Sequence, residues 1–185
     1  MKKIAVLVGS NRKESVNLKF ARALEKLAAG RLAFDYLDLS VLPMYNDDHM
    51  DPFPETARSM KSRIEAADGV LLVTPEYNRS VPPLLKNAID WASRPYGKNS
   101  WVAKPAAIVG ASPGVIGTAA AQIHLRSIMV GLGTVLMGRP EVYLHMKPGL
   151  IDDRNNITDP ETEAFLRGFI DNLTDWVLAE KRAAA

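Results

Sequence analysis

Hydrophobic positions along the chain follow two rhythms. Ile4 to Val8, Gly69 to Thr74 and Pro105 to Ala111 are short aliphatic runs free of charge, the pattern of strands buried on both faces. Between them the apolar residues recur at helical spacing. Leu18, Phe20, Ala21, Leu24, Leu27 and Ala28 follow Ser15 and stop at Gly30, which predicts a first crossover helix with a glycine end. Further helices are predicted over Glu55 to Ala67, over a face formed by Leu84, Leu85, Ala88, Ile89 and Trp91, and from about Thr118 to Val130. Asp159-Pro160 open a last helix as N-cap and first position, with the stripe Phe165, Leu166, Phe169, Ile170, Leu173, Trp176 and Val177. Leu32 to Asp38 alternates, as an edge strand with one partly exposed face does. Thr134 to Met137 is the expected last strand, with Gly138-Arg139-Pro140 interrupting its continuation at Glu141 to Leu144. The alanine-rich tail after Lys181 is expected to fray.

Strand and helix therefore alternate, which defines an α/β protein with a parallel sheet. Five strands in this length fit one domain over residues 1–185, doubly wound in the order 2-1-3-4-5. In such sheets ligands bind beyond the carboxyl ends of the strands, where the winding reverses between strands 1 and 3. Three loops converge there: Gly9 to Asn17, Pro75 to Pro83 and Ser112 to Thr118.

Composition narrows the chemistry. The chain has no cysteine, which excludes disulfides, thiolate metal ligands and thiol nucleophiles. The net charge of +2 comes from 23 basic and 21 acidic residues that are interspersed, without the basic stripe of a nucleic-acid surface. Met1-Lys2-Lys3 precede an apolar run too short for a signal peptide, and no stretch approaches the roughly 18 apolar residues of a membrane span. The expected location is the cytoplasm.

The first loop carries the most polar chemistry. It combines the hydroxyls of Ser10 and Ser15, the amides of Asn11 and Asn17 and the cation of Arg12 with the unpaired N–H groups of a helix start, a set suited to one phosphate. Gly9 is its single glycine, so the three-glycine dinucleotide fingerprint is absent, as is a Walker A Gly-Lys-Ser/Thr. A terminal phosphate of a mononucleotide remains, against the alternative of an ordinary turn capped by Ser15. In the second loop Tyr77 lies beside the backbone and amide groups of Glu76 and Asn78, which suits a flat ring with a polar edge. Ser112 and Gly114 in the third loop let backbone approach such a ring closely. Flavin mononucleotide (FMN) has these three parts.

Gly9-Ser-Asn-Arg12 with Ser15 and Asn17, Pro75-Glu-Tyr-Asn78 running into Pro82 to Trp91, and Gly110-Ala-Ser-Pro-Gly114 with Ala121-Gln122 and Leu125-Arg126 together resemble the NADPH-dependent FMN reductase family. The likeness is to its quinone and chromate reductase members. The resemblance implies a flavodoxin-like three-layer sandwich, bound FMN and NADPH or NADH as donor. It implies quinones as acceptors, with chromate, other metal oxyanions and azo compounds as side substrates, and a homodimer or homotetramer. It assigns Ser10, Arg12, Ser15, Asn17 and Leu18 to the phosphate, Pro75, Glu76, Tyr77 and Asn78 to the ring, and Ser112, Gly114 and Gly117 to the third loop. Arg126 is implied in contacts between subunits. Thr118 departs from the pattern, standing where many members have a second glycine. The cofactor carries the redox chemistry, a ping-pong exchange is expected, and no residue is assigned as catalytic.

Rival readings follow from other residues. Gly110-Ala-Ser-Pro-Gly114 matches a nucleophile elbow, but Pro113 lacks the N–H that an oxyanion hole takes from that position, and only His145 with Glu141 remains as partners. A flavodoxin-type electron carrier would share fold and cofactor, yet carriers tend to be strongly charged. Asp47-Asp48-His49-x-Asp51 lacks a spaced partner for a metal, and no metal is assigned. The loop Pro43 to Pro54 is long for a connector and is expected to have a role of its own. Trp91 and Trp176 are expected in the core; Trp101 is read as a cover for the site or an interface, or as a surface residue.

Overall fold

In the computed structural model, which describes residues 1–183 with side chains through Ala179, the charge-free runs pair into one parallel sheet. Its strands are β1 (Lys2–Val8), β2 (Leu32–Tyr36), β3 (Gly69–Val73), β4 (Pro105–Ser112), β5 (Val135–Leu136) and β6 (Val142–His145), in the order β2-β1-β3-β4-β5. Connecting helices are α1 (Val16–Leu27), α2 (Glu55–Ala66), α3 (Pro83–Ala92), α4 (Ala119–Gly131) and α5 (Pro160–Ala183). This is the expected flavodoxin-like order, with the fifth position divided. β4 pairs with β5 up to Ala106↔Leu136 and resumes with β6 at Val109↔Val142, so the Gly138-Arg139-Pro140 interruption loops out between two parallel segments.

Alternation along the strands divides the core into two layers. Ile4, Val6, Leu71, Val73, Ala107 and Val109 face α1 and α5, meeting Phe20, Leu24, Leu166, Phe169 and Leu173. Ala5, Leu7, Val70, Leu72 and Ile108 face the opposite way, toward Ile64, Ile89, Trp91, Leu125 and Met129 of α2, α3 and α4. Each buried large side chain contributes about 1.5–3 kcal/mol relative to exposure. Phe165, placed in the α5 stripe by spacing, is instead 46% exposed, because the helix presents a narrower face to the sheet than its apolar residues span. The tail expected to fray is helical through Ala183; residues 184 and 185 lie outside the described residues.

Trp101 corrects a second expectation. It is fully buried and its indole N–H donates to the Ile89 carbonyl at 3.0 Å, so it covers neither the site nor the surface. Lys61 fastens the connection that carries it, donating to the Ala92 and Lys98 carbonyls and to Ser100 Oγ at 3.0, 2.7 and 2.6 Å. The Pro43 to Pro54 segment packs over α3. The Pro43 carbonyl accepts from the Trp91 indole at 2.8 Å, and Tyr45 and Phe53 set their ring edges against Trp91 at 5.1 and 5.5 Å. Asp47 and Asp48 accept from Tyr45 and Asn46, and no cluster of three metal-ligating side chains occurs among the described residues.

The edge strand β2 is tied in by Asp35. Its carboxylate accepts from Arg63 of α2 and lies 3.0 Å from Lys3 Nζ. The Arg63 hydrogen bonds, helped by Lys3, hold this carboxyl below its ordinary 3.8. A depressed folded value contributes stability above the ordinary pKa and loses it as the pH falls through the folded one. Asp35→Asn is therefore expected to cost about 1 kcal/mol at pH 7, with the difference from wild type closing in acid. Urea midpoints of both proteins between pH 7 and pH 2 test this; a difference independent of pH would contradict it.

Candidate active site

All three loops leave the carboxyl ends of β1, β3 and β4. The chain leaves β1 at Gly9, whose N–H donates to the Val73 carbonyl at 2.8 Å. A Cβ at Gly9 would lie 2.9 Å from Pro82 and 3.0 Å from Pro75, so the first and second loops touch here because residue 9 has no side chain. From Ser10 to Asn17 no main-chain N–H makes a hydrogen bond within 3.5 Å among the described residues, although Lys13 and Glu14 lie in a turn. A helix start by itself leaves four such groups; this loop extends the unpaired run back to the strand end. Ser15 is the α1 N-cap, 6% exposed, with Oγ accepting from the Leu18 N–H at 3.2 Å. Arg12 projects outward without an ion pair within 4 Å among the described residues.

Asn17 has a different task from that of an open phosphate donor. Buried beneath the loop, it accepts from the Ala111 N–H and donates to the Ala111 carbonyl, both at 2.9 Å. The β3–β4 pairing ends at Val73↔Val109, so Ala111 points its backbone groups to a place where β3 has already turned away. The Asn17 amide supplies the missing partner and thereby fixes the first loop to the third.

The second loop is a tight hairpin. Tyr77 and Ser80 exchange backbone hydrogen bonds at 3.1 and 3.0 Å, with Asn78 and Arg79 at φ of 49° and 67°. Glu76 leans away from it and accepts from the Ala121 N–H in the first turn of α4 at 3.1 Å, while Arg79 approaches its other oxygen at 3.4 Å. Pro75 and Glu76 are half-buried; Tyr77 is half-exposed and its ring is free to cover a ligand. Ser80, at the end of this hairpin, lies 3.1 Å from His124 Nδ1. Nothing in the local sequence signals that pair, because α4 is brought there only by the fold.

In the third loop Ser112 Oγ and Gly114 form a closed turn, the hydroxyl accepting from the Gly114 N–H at 3.1 Å and donating to its carbonyl at 3.2 Å. A Cβ at Gly114 would have ordinary contact with Ser112 alone, so this tip is open to a ligand. Gly117 is required by φ +63° and by Tyr143, whose backbone a Cβ would approach to 2.6 Å. Thr118 points inward: it is fully buried over Gly110, and its Oγ1 accepts from Gln122 Nε2 at 2.9 Å. The departure from the family pattern is thus absorbed by the core, and the loop rim carries no extra side chain.

The same geometry dismisses the nucleophile elbow. Ser112 and His145 are register partners on β4 and β6, yet the hydroxyl is engaged with Gly114 rather than with the imidazole. Arg126 donates to the Met137 carbonyl at 3.1 Å and lies 3.5 Å from Glu141, contacts within its own chain. Asp38 and Ser40, just beyond β2, border a cavity of about 310 Å³ with Ser10, Asn11 and Leu18. The strand order could have found them, since β2 lies directly beside β1.

The residues present fit a mononucleotide: a run of free amides for a phosphate, an aromatic hairpin and a bare glycine turn for a flat ring. Such a set at the reversal of a doubly wound parallel sheet defines a flavodoxin-like nucleotide-binding protein. The model of the NADPH-dependent FMN reductase family matches residues 2–149, and the chain belongs to that family. It is 50% identical over 175 residues to a 2-hydroxy-1,4-benzoquinone reductase from a Burkholderia species, covering 95% of this chain and 96% of that protein. A quinone reductase of Pseudomonas putida is 46% identical over 175 residues, covering 94% of both chains. Among solved structures, the FerB flavoenzyme NAD(P)H:(acceptor) oxidoreductase of Paracoccus denitrificans superposes with a TM-score of 0.95 at 49% identity, covering 97% of this chain and 99% of that one. Membership in a family of reductases makes the protein an oxidoreductase and sets aside the electron-carrier alternative.

Proposed function

We propose that the protein is an FMN-dependent NAD(P)H oxidoreductase that reduces quinones by ping-pong exchange, with chromate, other metal oxyanions and azo compounds as further acceptors. The observation that carries the reading is the unbroken run of free main-chain N–H groups from Ser10 to Asn17, beside two loops suited to a ring. The names of the benzoquinone and quinone reductases support the acceptor class. Bound flavin would supply the two-electron chemistry. The chain's own part is to bind and orient. Ser10, Arg12, Ser15 and the free amides up to Asn17 hold the phosphate beside Leu18, whose own N–H caps onto Ser15, and the Asn17 side chain fixes their loop. Pro75, Glu76, Tyr77 and Asn78 flank the ring, and Ser112 and Gly114 give backbone access to it, with Gly117 shaping their loop against Tyr143. Donor and acceptor would share one open face, which requires the first to leave before the second enters.

A homodimer or homotetramer in the cytoplasm completes the reading. Val115, Ile116, Ile123 and Val130, all more than half exposed on the third loop and α4, are apolar surface of the kind a subunit contact buries. Steady-state oxidation of NADPH and NADH by the FMN-loaded protein with 1,4-benzoquinone tests the function. Parallel double-reciprocal lines are expected; converging lines would contradict the exchange mechanism, and absence of nucleotide oxidation would contradict the function.

A further inference from the structure

A groove of about 800 Å³ runs between the start of α1 and the segment that follows β6. We propose that it receives the 2′-phosphorylated adenosine half of NADPH, and so selects NADPH over NADH. The inference rests on the proposed reductase reading and turns on Lys13 and Lys147, which that reading does not use.

The groove is lined by the apolar Leu18, Met146, Ile151 and Pro113, and Lys13 and Lys147 also border it. Its volume suits a ligand of nucleotide size, far beyond a lone phosphate. The other cations that border it are already engaged. Lys19 lies 3.6 Å from Asp153, and Arg22 donates to Glu25 at 2.8 Å while stacking 3.8 Å from the Tyr36 ring centre. Lys13 and Lys147, in contrast, have no ion pair within 4 Å among the described residues, although Lys147 is near enough to Asp159 to help lower its carboxyl pKa. The carboxylates that border the groove are Glu14 and Asp153, the second already facing Lys19. Two ammonium groups without an ion pair within 4 Å, beside apolar side chains, match a purine bearing a phosphate monoester, whose dianion accepts charge-assisted hydrogen bonds.

Position joins the groove to the flavin site. Ser15 and Leu18 border both, and Pro113 stands between Ser112 and Gly114 in the third loop. A dinucleotide with its nicotinamide at the ring loops can therefore continue over the α1 start into the groove. The adenosine ribose of NADH, lacking the phosphate, would leave both lysines unused.

Calorimetric titration of the FMN-loaded protein with adenosine 2′,5′-bisphosphate, compared with adenosine 5′-monophosphate, reads the groove without turnover. The bisphosphate is expected to bind about tenfold or more tighter, with the flavin spectrum retained, and the preference to vanish in the Lys13→Ala/Lys147→Ala double variant. In the same variant the ratio of kcat/KM for NADPH to that for NADH is expected to fall about tenfold. Equal affinity for the two nucleotides, no binding, a preference that survives the lysine changes, or release of FMN by the bisphosphate would each overturn the proposal. The two readings fail separately. Lysine-dependent binding in a protein that does not oxidise NADPH would leave the groove and remove the reductase function; quinone-dependent turnover without lysine-dependent discrimination would do the reverse.

Discussion

Replacing Ser15 with Asp is expected to weaken FMN binding by about two to three orders of magnitude while leaving the protein folded. Aspartate is as good an N-cap as serine, so the bond that Ser15 Oγ accepts from the Leu18 N–H at 3.2 Å has a replacement. The same carboxylate, however, would occupy the end of the run of free amides where a phosphate has to sit. It would remove a hydroxyl donor and set negative charge against negative charge, each worth about 1.5–3 kcal/mol in a partly buried site. Ser15→Ala makes the opposite trade: the cap is lost, at about 1 kcal/mol of stability, but no charge is introduced. Fluorescence titration of the apoproteins with FMN, alongside urea unfolding, separates the two effects. Unchanged FMN affinity in Ser15→Asp would mean that the loop after β1 holds no phosphate.

Asn17→Ala is expected to be the most damaging change near the site for stability, at about 3 kcal/mol. The side chain is 3% exposed and both its amide ends bond to the backbone of Ala111 at 2.9 Å. Alanine would leave one N–H and one carbonyl of β4 buried without partners, and each such group costs about 1–3 kcal/mol. The loss falls where β3 has already left the sheet, so no strand is available to replace it. Because the amide also anchors the first loop, the residual folded protein should bind FMN more weakly. A urea midpoint within experimental error of wild type would show that water or a neighbouring group repairs the gap.

These two residues also mark how far the chain can be read without its structure. The strand ends, the helix starts and the order of the sheet were legible because charge-free runs stop at small or polar residues, and because a parallel sheet allows few orders. Even the divided last strand was foreshadowed by Gly138-Arg139-Pro140, which the structure places in the gap between β5 and β6. Ser15 as a cap follows from local chemistry. The bond from Asn17 to Ala111 does not, because it joins residues 94 positions apart and depends on where β3 happens to end. Trp101 was misread for a related reason. Its neighbours show no hydrophobic period, and its burial comes from a connection fastened by Lys61, a charged residue of α2. Phe165 erred the other way: spacing placed it on the inner stripe of α5, but spacing does not determine how wide a face the sheet can cover. In each case local pattern gave the element, and contact between distant elements gave the role.

The central claim is that the free amides from Ser10 to Asn17 and the two loops beside them hold a redox-active FMN. The most direct measurement is the visible absorption spectrum of the purified protein, before and after anaerobic addition of NADPH or NADH. An FMN spectrum that bleaches with the nicotinamide and returns on adding a quinone is the predicted result. A colourless protein that does not take up added FMN, or a bound flavin that keeps its colour with either nucleotide, would contradict the account.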